Sequence, residues 1–257
     1  MNRTMIALAV AGLAMTTTAA SAQSVAALLD GNSIAIVDVK AAKAGAPMKI
    51  AGTGTLVGID VRPADGMLYG LFDDGTLVTI NPMSGATSPK SKLDTMLPAG
   101  TVATVDFNPV ADRLRVIGSD GTNLRANVDD GKVTKDGALK YADADMNKAR
   151  TPKIVAGAYT NSVKGAKETA LFDVDAAAGK LVKQAPPNDG VLNSVGKLGI
   201  SAGSYAFDIP AGSTSEGWLM ADGTLYRVDL ASGKATVLGM IGGVSGKVHD
   251  IAIFPAM

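Results

Sequence analysis

Four Asp-Gly pairs, Asp30-Gly31, Asp74-Gly75, Asp120-Gly121 and Asp222-Gly223, each stand between short runs of alternating apolar residues. Gly takes a positive φ freely and Asp tolerates one, so the pair suits the two central positions of a type I′ turn. Each pair therefore reads as the tip of an antiparallel hairpin. The first three follow one another at intervals of 44 and 46 residues, close to the length of one four-stranded unit in a radial β-repeat. The 30 glycines point the same way, because Gly costs about 1 kcal/mol relative to Ala inside a helix.

Laid against one another, the units share an order. Leu56 to Pro63, Gly66 to Gly70 and Asp74 to Ile80 are matched by Val102 to Pro109, Asp112 to Val116 and Asp120 to Leu124. Ser204 to Pro210, Gly217 to Met220 and Asp222 to Asp229 repeat it again. Between them, Ile154 to Thr160, Glu168 to Val174, Lys180 to Gln184 and Val191 to Lys197 form a divergent unit whose hairpin tips, Ser162 to Gly165 and Ala178-Gly179, lack Asp-Gly. A single sheet of this kind leaves a face unburied, so the units must stack.

The two ends complete each other. Val25 to Leu29, Ile34 to Val39 and Met48 to Ile50 lack an inner strand, and Val248 to Pro255 is an inner strand without a blade. Joining them closes a ring and removes exposed sheet edges. The expected fold is all-β, a β-propeller of five four-stranded blades whose C-terminal strand closes the N-terminal blade.

Residues 1–22 fall outside that domain. Arg3, the apolar stretch from Met5 to Met15 and the small residues Ala20-Ser21-Ala22 have the layout of a secretory signal peptide, with cleavage before Gln23. The stretch is shorter than the roughly 20 residues that span a bilayer. A single domain over 23–257 is expected, periplasmic or secreted, with no membrane span once the leader is removed. That portion has no cysteine, so its stability rests on its core. It carries 23 basic against 24 acidic residues and no basic run, which argues against nucleic acid as a partner.

The residue inventory narrows the chemistry. One histidine, His249, and no cysteine leave no nitrogen–sulfur metal site, and no nucleophile elbow accompanies the histidine. Asp143, Asp145 and Asn147 have the spacing of three calcium ligands, but Lys148 and Ile154 stand where an EF-hand needs Gly and Glu. That leaves calcium as the one weak cofactor possibility; no other cofactor is expected.

Two groups of residues are candidate ligand contacts. Asp60 (with Arg62 beyond it), Asp106 and Asp208 sit near the ends of inner strands, where they converge on the channel mouth or accept hydrogen bonds from turns of their own blades. Tyr159 and Asn161 end the fourth inner strand at the same rim. The second group is Asn108, Arg113, Arg115, Asn123 and Arg125 on one hairpin. Its guanidiniums suit an anionic ligand or internal pairs with Asp106 or Asp112, and pairing is the expected use. Neither group contains a complete catalytic set.

Gly58 to Pro63, Asp106 to Pro109, Asp112 to Val116, Asn123 to Arg125, Ala158 to Ser162, Pro186 to Gly190 and Val195 to Gly199 together resemble a family of secreted bacterial proteins catalogued only as a domain of unknown function. The resemblance spans about residues 50–255 and implies an exported, propeller-like domain. It carries no catalytic residue with it. The expected function is a monomeric binding or interaction module for a small molecule, glycan or protein. The alternative is a propeller enzyme, a metal-assisted lactonase or lyase working at the channel on a small or sugar-like substrate.

Overall fold

The computed structural model describes residues 24–255; the expected signal peptide and its expected boundary at Gln23 lie outside them. Five sheets form a propeller, their innermost strands packed side by side in a closed ring around a channel. Blade 2 runs outward through Leu56–Val61, Leu68–Phe72, Thr76–Ile80 and Thr87–Lys92. Blade 3 comprises Ala103–Asn108, Arg113–Gly118, Asn123–Ala126 and Val133–Lys135. Blade 5 comprises Tyr205–Asp208, Glu216–Ala221, Thr224–Asp229 and Ala235–Met240.

Blade 1 is assembled from both ends of the chain. Val248–Ile253 is innermost and pairs with Ser24–Leu29, which pairs with Ser33–Asp38. Its outer strand is broken into Lys43–Ala44 and Met48–Lys49; Pro47, lying between them, has no N–H to continue the ladder. Blade 4 runs through Ile154–Tyr159, Leu171–Asp175, Lys180–Gln184 and Val191–Lys197, and adds a fifth, parallel piece, Lys140–Tyr141. Four strands per blade thus describe three blades strictly.

The Asp-Gly pairs at Asp30, Asp74, Asp120 and Asp222 each lie at the turn between second and third strands, but they make two kinds of turn. Asp30-Gly31 and Asp222-Gly223 have positive φ at both residues, as a type I′ turn requires. At Asp74-Gly75 and Asp120-Gly121 only the glycine is positive. There the Asp side chain instead accepts the N–H and O–H of Thr76 or Thr122, which holds Asp in an ordinary conformation.

Strand position dictates composition. Leu68–Phe72, second in its blade, is covered on both faces by neighbouring blades and is buried throughout, whereas the outermost Thr87–Lys92 is largely exposed. Five apolar clusters result, one in each seam between adjacent blades. The seam between blades 3 and 4, built on Ile117, Leu139, Tyr141, Ile154, Tyr159, Leu171, Val182 and Leu192, departs from the others by also holding many polar groups.

Candidate functional site

The innermost strand of each blade is a sheet edge, and its outward N–H groups need acceptors. Buried aspartates provide them. Asp60 accepts Val61 N–H at 2.6 Å and, across the seam, Phe107 N–H at 2.7 Å. Asp106 accepts Tyr159 N–H at 3.0 Å. Asp208 accepts the N–H of Ile209 and of Ile253, both at 2.6 Å. Asp250 accepts Ile251 and Ile59 at 2.9 and 3.0 Å. The acceptors serve strand edges of two adjacent blades, not turns of one blade, so each carboxyl clasps its blade to the next.

Asp60, Asp106 and Asp208 also meet one another, each offering an oxygen within 4.8 Å of the other two. Burial first, and then like charge, pushes Asp60 and Asp106 well above the usual carboxylate range, against the pull of their amide bonds. Asp208 is raised by burial to about 7, and Asp250 also rises. Above this cluster lies a hollow of about 230 Å³ walled by Val61, Pro63, Ile209, Ala211, Ile253 and Pro255, with Lys164 at its rim. The opposite end of the channel opens more widely, to about 500 Å³, and His249 lies there.

Groups whose folded pKa is raised take up protons on folding. Their contribution is fully present below the unfolded value near 4 and is lost as pH rises through about 7 for Asp208. Each retained proton is worth about 1.4 kcal/mol per pH unit in that window. The melting temperature should therefore be highest near about pH 5 and fall as pH rises through about 7. Thermal melts at constant ionic strength check this; a curve level or rising over that range contradicts it.

The arginines behave differently from the channel acids. Arg115, 2 % exposed, donates to Asp136 at 2.6 Å, Asn123 at 2.9 Å, Asn188 at 2.7 Å and the Tyr159 hydroxyl at 3.2 Å. Arg125 shares the same Asp136 through two bonds of 3.1 Å. The expected partners, Asp106 and Asp112, are engaged elsewhere: Asp106 with Tyr159 N–H, Asp112 with Arg62 at 2.6 and 2.8 Å. Arg62 is thus a clamp between blades 2 and 3 rather than a channel contact. Arg113 only caps carbonyls of Ala111 and Asp112, Asn108 accepts the amides of Val110 and Ala111, and Asn161 braces the carbonyl of Glu168.

Three residues of these networks escaped the sequence-based expectation. Asp250 lies one rung below the other channel acids, at the level of Gly58 and Thr104, so strand comparison misaligns it. Asp136 lies in a loop and Asn188 in the 3-10 turn Pro187–Asp189, and only folding brings them to Arg115. In the loop of Asp143, Asp145 and Asn147, both oxygens of Asp145 are taken by Asn147 and Ser194, while Asp143 is exposed.

Residues 33–252 match the family described as a domain of unknown function (DUF4394). The chain belongs to the DUF4394 family. A solved protein of unknown function from Bacteroides thetaiotaomicron VPI-5482 is similar to this DUF4394 chain at 13% identity and a TM-score of 0.56, over 93% of this chain and 68% of the other. Another protein of unknown function, from Bacteroides caccae, matches at 14% identity and a TM-score of 0.45 over 91% and 99%. No curated protein matches the chain. Among the described residues no helix is long and apolar enough to cross a membrane.

Proposed function

We propose that this DUF4394 chain is an exported binding module, periplasmic or secreted, that holds a small ligand at the narrow mouth of its channel. The observation that carries this is the convergence of Asp60, Asp106 and Asp208 beneath a hollow of about 230 Å³. Carboxyl oxygens below and apolar walls above suit a small amine or a compact polyol better than an anion. Asp60 and Asp208 line the hollow with both oxygens of each already bound to strand amides, and Asp106, the third member of the cluster, keeps Oδ2 free of hydrogen bonds within the protein. The export expectation rests on the leader pattern of residues 1–22.

Calorimetric titration of the mature chain with putrescine, a neutral hexose and calcium chloride tests this. Binding of one of them, lost in Asp106→Asn while the fold stays intact, supports it; no heat from any of the three sinks it. The same three oxygens also favour a second reading, a metal-assisted enzyme. Elemental analysis before and after chelation separates the two: about one divalent ion per chain, restored on addition of the metal, favours the enzyme.

A further inference from the structure

The seam between blades 3 and 4 departs from a pattern that the other four seams keep. Aligned on the amides that the channel acids bind, Val61, Phe107, Tyr159, Ile209 and Ile253 share one level. Two residues earlier, on the same face, four blades carry a buried apolar side chain: Ile59, Val105, Phe207 and Ile251. Blade 4 has Gly157. The directly paired residues on the second strands are Gly70, Val116, Leu219 and Ala27, but opposite Gly157 stands Asp173. Its carboxyl fills the space of the missing side chain: a Cβ on Gly157 would lie 2.2 Å from Asp173 Oδ1.

Asp173 is completely buried, and neither of its oxygens has a hydrogen-bond partner. Among the described residues, the other buried side-chain atoms without a partner are Thr104 Oγ1 and Gln184 Oε1. Both face the same seam, since Thr104 pairs with Ile117 and Gln184 with Leu171, two members of its apolar cluster. Thr104 also stands at the level of Asp250, whose carboxylate reaches the amide of Ile59, the counterpart of Gly157. Gln184 is the diagonal neighbour of Asp173 on the next strand. The four buried side-chain atoms without a partner among the described residues are therefore all oxygens, and all face this one seam.

An unpartnered buried carboxyl is costly, and a set of oxygens alone is the donor set of a hard cation. Burial pushes the Asp173 carboxyl up to about 8, so the set carries one negative charge once the pH exceeds that value. Arg115, the cation that reaches Asp173 electrostatically, is committed to Asp136 at 2.6 Å. We infer that this seam binds an alkali-metal cation between Asp173, Thr104 and Gln184, joining blade 3 to blade 4 at a site separate from the channel mouth.

The test compares thermal melts of the mature chain in sodium, potassium and choline chloride at equal ionic strength, about 0.15 M. The buffer is held at about pH 8.5 because a metal-binding carboxylate must be deprotonated. A saturable rise of the melting temperature in sodium or potassium over choline is expected. Asp173→Asn should abolish the rise, and Thr104→Val should weaken apparent affinity by about tenfold. Identical melts in the three salts overturn the proposal, as does a response that survives Asp173→Asn. If Asp173→Asn does not fold, sodium-23 line broadening decides: broadening by the parent chain that falls in Thr104→Val supports the site, and equal or absent broadening refutes it.

Discussion

Removing Val248–Met257 is expected to abolish the cooperative melting transition and leave an associating chain. The deleted segment is the innermost strand of blade 1, paired with Ser24–Leu29 along its length. It buries Val248, Ile251 and Ile253 in the seam with blade 5 and Ala252 in the seam with blade 2. Three such side chains contribute about 1.5–3 kcal/mol each, a sum comparable with the whole stability of a typical domain, about 5–15 kcal/mol. The loss also removes the Ile253 N–H that donates to Asp208 and the Asp250 carboxyl that accepts the Ile59 N–H, and it opens the ring at two edges. Size-exclusion chromatography with a thermal melt checks this. A monomer with the parent transition would show that ring closure is dispensable.

Arg115→Ala is expected to destabilise the fold by about 3–5 kcal/mol, because it leaves Asp136 buried and short of its principal counter-charge. Asp136 is only 6% exposed at its side chain, whereas Arg125, its second partner, is 32% exposed. Arg125→Ala should therefore cost less than Arg115→Ala. Arg113→Ala should stay within about 0.5 kcal/mol, since its only bonds are to turn carbonyls. Arg115→Lys should not rescue, because one ammonium cannot reach Asp136, Asn123, Asn188 and Tyr159 from one position. Urea unfolding of the four variants checks the order; equal midpoints for all three alanine variants would show that the buried network contributes nothing.

Local chemistry made much of the architecture legible before folding was considered. Turn residues announce themselves, so the Asp-Gly pairs revealed the blade period and the position of the turns, and the unpaired terminal segments revealed the closure. The turn type at Asp74 and Asp120 was not legible, because a threonine stands two residues after Asp222 as well, and there the carboxyl instead accepts the distant amides of Gly203 and Ser204. Asp60, Asp106 and Asp208 were recognisable as counterparts because they occupy equal places in similar strands. Their tasks were not, because an acceptor in one blade serves an amide about fifty residues away in the next. The same holds for Arg115, whose carboxylate partner Asp136 stands in a loop with no repeat signature. Gly157 and Asp173 are each unremarkable alone, and only the pairing of their strands exposes them as a replacement for two apolar residues.

The mixed origin of blade 1 carries a consequence for the order of events in the life of the chain. Synthesis runs from the N-terminus, so Ser24–Leu29 emerges early and its innermost neighbour, Val248–Ile253, emerges last. Blades 2 to 5 can each pair their own strands as they appear, whereas the first sheet waits until Val248–Ile253 has been made. Ser24–Leu29 and Ser33–Asp38 thus belong to the one blade that a growing chain is unable to complete from neighbouring segments. The ring closes only after strands of all five blades have left the ribosome.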